Sequence, residues 1–215
     1  MLFMMPLPGV ELAAQQVSPG SLWESEIQRF EESDRRDPPK PGAVLFIGSS
    51  SFRLWKNLAE DFPGTYVLNR GFGGSQIADS TRFAGRIITP YRPRMILLYA
   101  GDNDMAAGKS PDQVLEDFDA FVNRVRRDLP DVTIAFVSIK PSLARANLFD
   151  RMREANNKIR QYASRHRHVG YIDVFTPMLG SDGKVRPDLF IADGLHLNRS
   201  GYEIWKAVIA PHLRN

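Results

Sequence analysis

The sequence predicts an α/β fold, a parallel sheet covered by helices on both faces. Short, continuously apolar runs recur along the chain, as expected of strands buried on both faces. Helical segments alternate with them, the pattern that builds parallel sheets. Loops rich in Gly, Ser, Asn and Asp follow the first three runs, and open α/β sheets gather ligands at their strand carboxyl ends.

The elements follow in order. Residues 1–20 read as an apolar arm, interrupted by Pro6, Pro8 and Glu11. Ala13-Ala14-Gln15 loosely resembles a signal cleavage site, but no basic segment precedes it, so a degenerate signal sequence is the lesser reading. Residues 21–42 form an amphipathic helix, about 22–34, and a stop at Asp37-Pro38-Pro39-Lys40-Pro41-Gly42. Residues 43–215 form the main domain. Its strands are expected at 43–47, 66–68, 95–99, 132–139 and 169–174. Helices are expected just after Ser50 and at 77–88. Another starts at Ser110-Pro111, an N-cap with a first-turn proline, and ends near Leu129. A long helix covers 146–165, and the last runs 201–212 with Ser200 as its cap. Residues 101–108 read as a loop.

Apolar residues make up 43% of the chain and charged residues 25%, ordinary for a globular protein. The net charge is +3, but acidic and basic residues are interspersed, so nucleic-acid binding is not expected. Cysteine is absent, which excludes disulfides and thiolate chemistry. No apolar stretch is long enough for a membrane-spanning helix. An apolar arm needs a surface to lie on, and a neighbouring subunit is one candidate. Both cytoplasmic and exported locations stay open.

Four loops hold candidate chemistry. Gly48-Ser49-Ser50-Ser51 follows the first strand, and a serine in such a turn can expose its hydroxyl and its own N–H. Taken alone, these are ordinary turn residues, and any of the three serines could be the exposed one. Asn69-Arg70-Gly71-Phe72-Gly73-Gly74-Ser75 follows the second strand, and its glycines let backbone N–H groups approach developing negative charge. A plain turn competes with that reading; a phosphate loop would lack its lysine. Gly101-Asp102-Asn103-Asp104 offers a side-chain amide, or simply an Asx turn. Its carboxylates lack the spacing of a calcium loop, and no metal or cofactor is expected. In Asp193-Gly194-Leu195-His196 a carboxylate can orient an imidazole within one turn. His166 and His168 lie in an Arg-rich segment and read as surface.

Together these loops resemble the SGNH hydrolases, the GDSL family of esterases and lipases, over roughly residues 43–215. The family's Ser, Gly, Asn and His blocks match Ser50, Gly74, Asn103, and Asp193 with His196. The resemblance implies a flavodoxin-like three-layer α/β/α sandwich with strand order 2-1-3-4-5. It implies Ser50 as nucleophile, His196 as base, Asp193 as its orienter, and an oxyanion hole from Ser50, Gly74 and Asn103. Two positions depart from the family pattern: Ser49 and Ser75 stand where aspartates are usual. The expected activity is hydrolysis of short-chain esters, including acetyl esters of carbohydrates, with a small-molecule ester as partner. The connections 140–149 and Leu189-Phe190-Ile191 are expected to shape the pocket. A non-catalytic carbohydrate- or ligand-binding module, a thioesterase and a lysophospholipase are the competing readings. A flavin or phosphate binder would leave Asp193 and His196 unexplained.

Overall fold

The structure, a computed structural model, describes residues 22–213. The arm at 1–20 lies outside the described residues, and with it the expected subunit contact. Five parallel strands form one sheet in the order β2-β1-β3-β4-β5. They are β1 (Val44–Gly48), β2 (Val67–Gly71), β3 (Met95–Tyr99), β4 (Thr133–Val137) and β5 (Val169–Ile172). β1 and β3 are buried along their whole length, which is why their sequences are continuously apolar.

Side chains alternate across the sheet and build two cores. On one face Leu45, Ile47, Ile96, Leu98, Ile134 and Phe136 are buried together with Ile27, Phe83, Phe118 and Ile159. Those partners come from α1 (Glu24–Arg36), α4 (Ile77–Ile87), α6 (Pro111–Arg126) and α7 (Phe149–Arg165). On the other face Val44, Phe46, Leu97, Tyr99 and Val137 meet Phe52, Trp55, Leu58 and Trp205. These belong to α2 (Ser50–Arg53), α3 (Leu58–Asp61), the segment between those two, and α8 (Arg199–Ile209). No helix among the described residues is long and apolar enough to cross a membrane.

Several boundaries differ from the expectation. β2 runs on through Asn69, Arg70 and Gly71, because parallel pairing with β1 continues to Gly48↔Gly71 and overrides glycine's poor strand propensity. The stretch 101–108 is not all loop: α5 (Asp102–Ala106) is a single helical turn with Asp102 and Asp104 at its start, where carboxylates suit the helix dipole. The last helix begins at Arg199, and its cap is Asn198, whose side chain accepts from the Gly201 N–H at 3.1 Å, rather than Ser200. The cap of α6 is as expected: Ser110 accepts from the Gln113 N–H at 3.2 Å, and Gln113 returns the contact at 2.8 Å.

The N-terminal helix is tied firmly to the sheet domain. Arg86 of α4 binds Glu24 at 2.8 Å and Glu31 at 2.7 Å. Arg70 pairs with Asp34, and Tyr91 donates to the same carboxylate at 2.5 Å. Ile27 is fully buried.

Candidate active site

The site lies at the carboxyl ends of β1, β2 and β3. β1 ends at Gly48 with φ +128°, and a Cβ there would stand 1.9 Å from the Tyr99 carbonyl oxygen. Only glycine allows this approach. The Ser49 N–H then donates to the Tyr99 carbonyl at 2.8 Å, and the chain turns directly into α2. Ser50 is the first residue of that helix.

The neighbouring serines separate clearly. Ser49 and Ser51 are buried, whereas Ser50 is half-buried at the cleft. The Ser50 hydroxyl stands 3.0 Å from Nε2 of His196. The other ring nitrogen of His196, Nδ1, lies 2.6 Å from Asp193 Oδ2. Asp193 Oδ1 accepts the backbone N–H groups of Leu195 and His196, each at 2.9 Å. The side-chain bond from His196, then these backbone donors, lower the Asp193 pKa to about 2. An ionised Asp193 requires the proton on Nδ1, which leaves Nε2 free to accept from Ser50.

The other predicted residues converge on the same place. Gly74 and Asn103 border a cleft of about 300 Å³ with Ser50 and His196. Among the described residues, neither the Ser50 nor the Gly74 N–H has a hydrogen-bond partner. Asn103 sits in the first turn of α5, and its amide is held from two sides. Its Oδ1 accepts from Arg145 at 2.9 Å, and its Nδ2 donates to the Ser75 carbonyl at 3.0 Å. A guanidinium can only donate, so Arg145 fixes which way this amide points. One Nδ2 hydrogen is then left for the cleft.

Behind Asn103, Asp102 faces two cations: Arg145 at 3.0 Å and the fully buried Lys140 at 3.3 Å. Burial lowers the pKa of Lys140, and Asp102 opposes that shift. Asp104 binds Lys109 at 2.9 Å, and burial raises its pKa. Both carboxylates of α5 are therefore engaged by protein cations. Among the described residues, no group of three or more His, Cys, Asp or Glu is placed to hold a metal.

Some features were not legible in the motifs. Glu26 of α1 and Arg53 of α2 border the cleft and stand 3.9 Å apart. Arg145, in the connection 140–149, reaches Asn103, and the Ala144 N–H donates to the Gly194 carbonyl at 3.0 Å. That connection does touch the site. Leu189-Phe190-Ile191 does not line the cleft: Leu189 and Phe190 are buried in the core and Ile191 is exposed. His166 is exposed and stacks on Tyr162 at 3.8 Å, whereas His168 is half-buried rather than a surface residue. Ser75 is buried, and its hydroxyl donates to the Phe72 carbonyl at 2.9 Å. Nothing in the structure explains why Ser49 stands in place of an aspartate.

An oriented imidazole on a serine hydroxyl, beside free N–H groups, is an arrangement able to perform acyl transfer. Solved structures share the fold at low sequence identity. A GDSL-like lipase from Bacteroides thetaiotaomicron superposes with a TM-score of 0.75 at 18% identity, covering 88% of this chain and 97% of that one. A lipase/acylhydrolase from Enterococcus faecalis gives 0.64 at 15% identity, with coverages of 80% and 95%. A carbohydrate esterase family 3 protein from Talaromyces cellulolyticus gives 0.62 at 17% identity, with coverages of 80% and 96%. No match was found among curated proteins. The sequence itself matches the GDSL-like lipase/acylhydrolase family over residues 46–204, most of the chain, and the protein therefore belongs to that family.

Proposed function

We propose that this protein is a serine esterase that removes short acyl groups, acetyl among them, from polar alcohols. The observation that carries the reading is the unbroken chain of contacts from Ser50 Oγ through His196 to Asp193, at 3.0 and 2.6 Å.

Ser50 Oγ attacks the ester carbonyl carbon while His196 Nε2 takes its proton. Asp193 stays ionised and stabilises the imidazolium. The carbonyl oxygen becomes an oxyanion, met by the N–H groups of Ser50 and Gly74 and by the Asn103 amide. As the tetrahedral intermediate collapses, the C–O bond to the alcohol breaks, and His196 returns the proton to that oxygen. Water then repeats the sequence on the acyl-enzyme, releasing the acid and restoring Ser50.

The cleft argues for the substrate class. Among the described residues, Leu195 is the one large apolar side chain on its border, and Glu26 and Arg53 stand at its edge. Such a site has little surface on which to bury a long acyl chain, because each methylene needs apolar cover to contribute its roughly 0.8 kcal/mol. Charged side chains suit a hydroxyl-rich alcohol. The fold is shared with a carbohydrate esterase, which is in keeping with this reading.

The test is hydrolysis of p-nitrophenyl esters across acyl lengths, beside Ser50→Ala. The expected result is turnover that falls with chain length and vanishes in the variant. Turnover retained in Ser50→Ala would contradict the reading, and a preference for long chains would overturn the substrate class.

A further inference from the structure

The family match begins at residue 46, yet the oxyanion loop is fastened from outside it. The indole Nε1–H of Trp23, the residue that caps α1, donates to the Gly73 carbonyl at 2.7 Å. That carbonyl and the Gly74 N–H belong to the same planar peptide and point in opposite directions. A bond that holds the carbonyl toward α1 therefore directs the N–H away from α1.

This peptide needs holding. It lies between two glycines, and Gly74 has φ +76°. A peptide plane in that setting can flip by changing Gly73 ψ and Gly74 φ, and neither residue has a Cβ to resist. A flip would replace the Gly74 N–H with a carbonyl oxygen, which would repel an oxyanion.

Trp23 is itself well placed. Its ring stands edge-on to the fully buried Phe72, with centroids 6.2 Å apart and planes at 72°. The Arg86 pairs with Glu24 and Glu31 fix α1 beside it. On Gly73 itself a Cβ would come within 2.9 Å of the Arg53 guanidinium, so the peptide is closely packed there as well.

We propose that Trp23 is a positioning residue for the oxyanion hole, and that the N-terminal helix is thereby a working part of the catalytic unit. The inference rests on the esterase reading for its effect on rate, but its structural content, one fixed orientation of the Gly73–Gly74 peptide, does not.

Trp23→Phe keeps an aromatic ring against Phe72 and removes only the donor. Two readouts are compared with wild type. The first is kcat and KM for p-nitrophenyl acetate. The second is microsecond–millisecond exchange at the Gly74 amide, by ¹⁵N relaxation dispersion. The expected kcat loss is about 5- to 10-fold, the worth of one hydrogen bond, with KM nearly unchanged, because the interaction acts in the transition state. The Gly74 amide should gain exchange while amides of β1 and β3 stay as in wild type, which also shows that the variant is folded. Unchanged kcat in an otherwise active enzyme overturns the proposal. A Gly74 amide without exchange overturns it whatever the turnover. If wild type and Ser50→Ala are equally inactive, the esterase reading has failed, and the Gly74 amide still decides whether Trp23 fixes the peptide.

Discussion

The turn that presents Ser50 and the turn that presents His196 are built in opposite ways. The first grows from β1, a strand with no exposed residue, and is fixed by the close approach of Gly48 to Tyr99. The second lies outside the sheet, between the core residue Leu189 and α8, and it is exposed: the Asp193 side chain is 42% accessible. Packing holds Ser50, whereas local hydrogen bonds hold His196. Asp193 serves twice in the second turn, since one oxygen gathers the backbone N–H groups of Leu195 and His196 and the other grips the ring. An exposed loop can keep a fixed geometry when one carboxylate ties both backbone and side chain.

The largest effects should come from breaking the link between the two turns. His196→Ala should lower kcat as severely as Ser50→Ala, on the order of 10⁶-fold, and the double variant should be no worse, because the pair acts as a unit. Steady-state kinetics on the three variants checks this.

Next come changes at Asp193, which separate its two duties. Asp193→Asn and Asp193→Ala should each cost about 10⁴-fold in kcat, the first through the wrong imidazole tautomer. They should differ in the loop. Asn can still accept from the Leu195 and His196 N–H groups, so hydrogen exchange at those amides stays slow, whereas Ala removes the acceptor and exchange speeds up. Equal exchange in both would show that the turn does not depend on that oxygen.

Smaller losses are expected at the third side of the cleft. Asn103→Ala should cost about 10²- to 10³-fold in kcat as one oxyanion donor is lost. Arg145→Ala, which frees the Asn103 amide to rotate and leaves Asp102 paired with Lys140 alone, should cost about 10-fold. An Arg145→Ala loss equal to that of Asn103→Ala would mean that Arg145 meets the substrate directly.

The smallest effect concerns the tie between the two regions. Asp61, on α3 just after the Ser50 helix, accepts from Arg199 at 2.6 and 2.7 Å at the start of α8, and from the Trp55 indole at 2.7 Å. The Arg199 bond, then the indole, lower its pKa from 3.8 to about 2 against the opposing effect of burial. A carboxylate with a depressed folded pKa stabilises the protein above its unfolded pKa, and that contribution fades as pH falls through the folded value. Asp61→Asn should therefore cost about 1–2 kcal/mol at neutral pH, reduced by the solvent around Arg199. In urea titrations the gap from wild type should close toward pH 2.

What was legible in the sequence follows the same division. The inner strands β1, β3 and β4 could be read locally, because strands buried on both faces are continuously apolar, whereas the edge strands β2 and β5 are partly exposed and showed only short apolar runs. Ser50, Gly74, Asn103, Asp193 and His196 were singled out by the resemblance to the family's four blocks, since the turn residues alone left Ser49 and Ser51 open. α5 could not, because one turn of helix shows no periodicity. The choice of Asn198 over Ser200 was hidden as well: both residue types cap helices, and the packing of Tyr202, Trp205 and Ile209 sets where α8 begins. Trp23, Glu26 and Arg145 were missed because each meets the site by a contact distant in sequence, and Arg53 because nothing in the serine block marks the end of its short helix as a cleft position. No spacing rule marks a tryptophan that meets a glycine 50 residues away.

The most direct test of the account is to trap the acyl-enzyme. Wild-type protein is mixed with p-nitrophenyl acetate, quenched in acid within the first turnover, digested and analysed by mass spectrometry. The account predicts one acetyl group on the peptide that contains Ser50, located on Ser50 rather than Ser49 or Ser51, and absent from Ser50→Ala. Turnover with no acetylated serine, or acetyl on another residue, would contradict it.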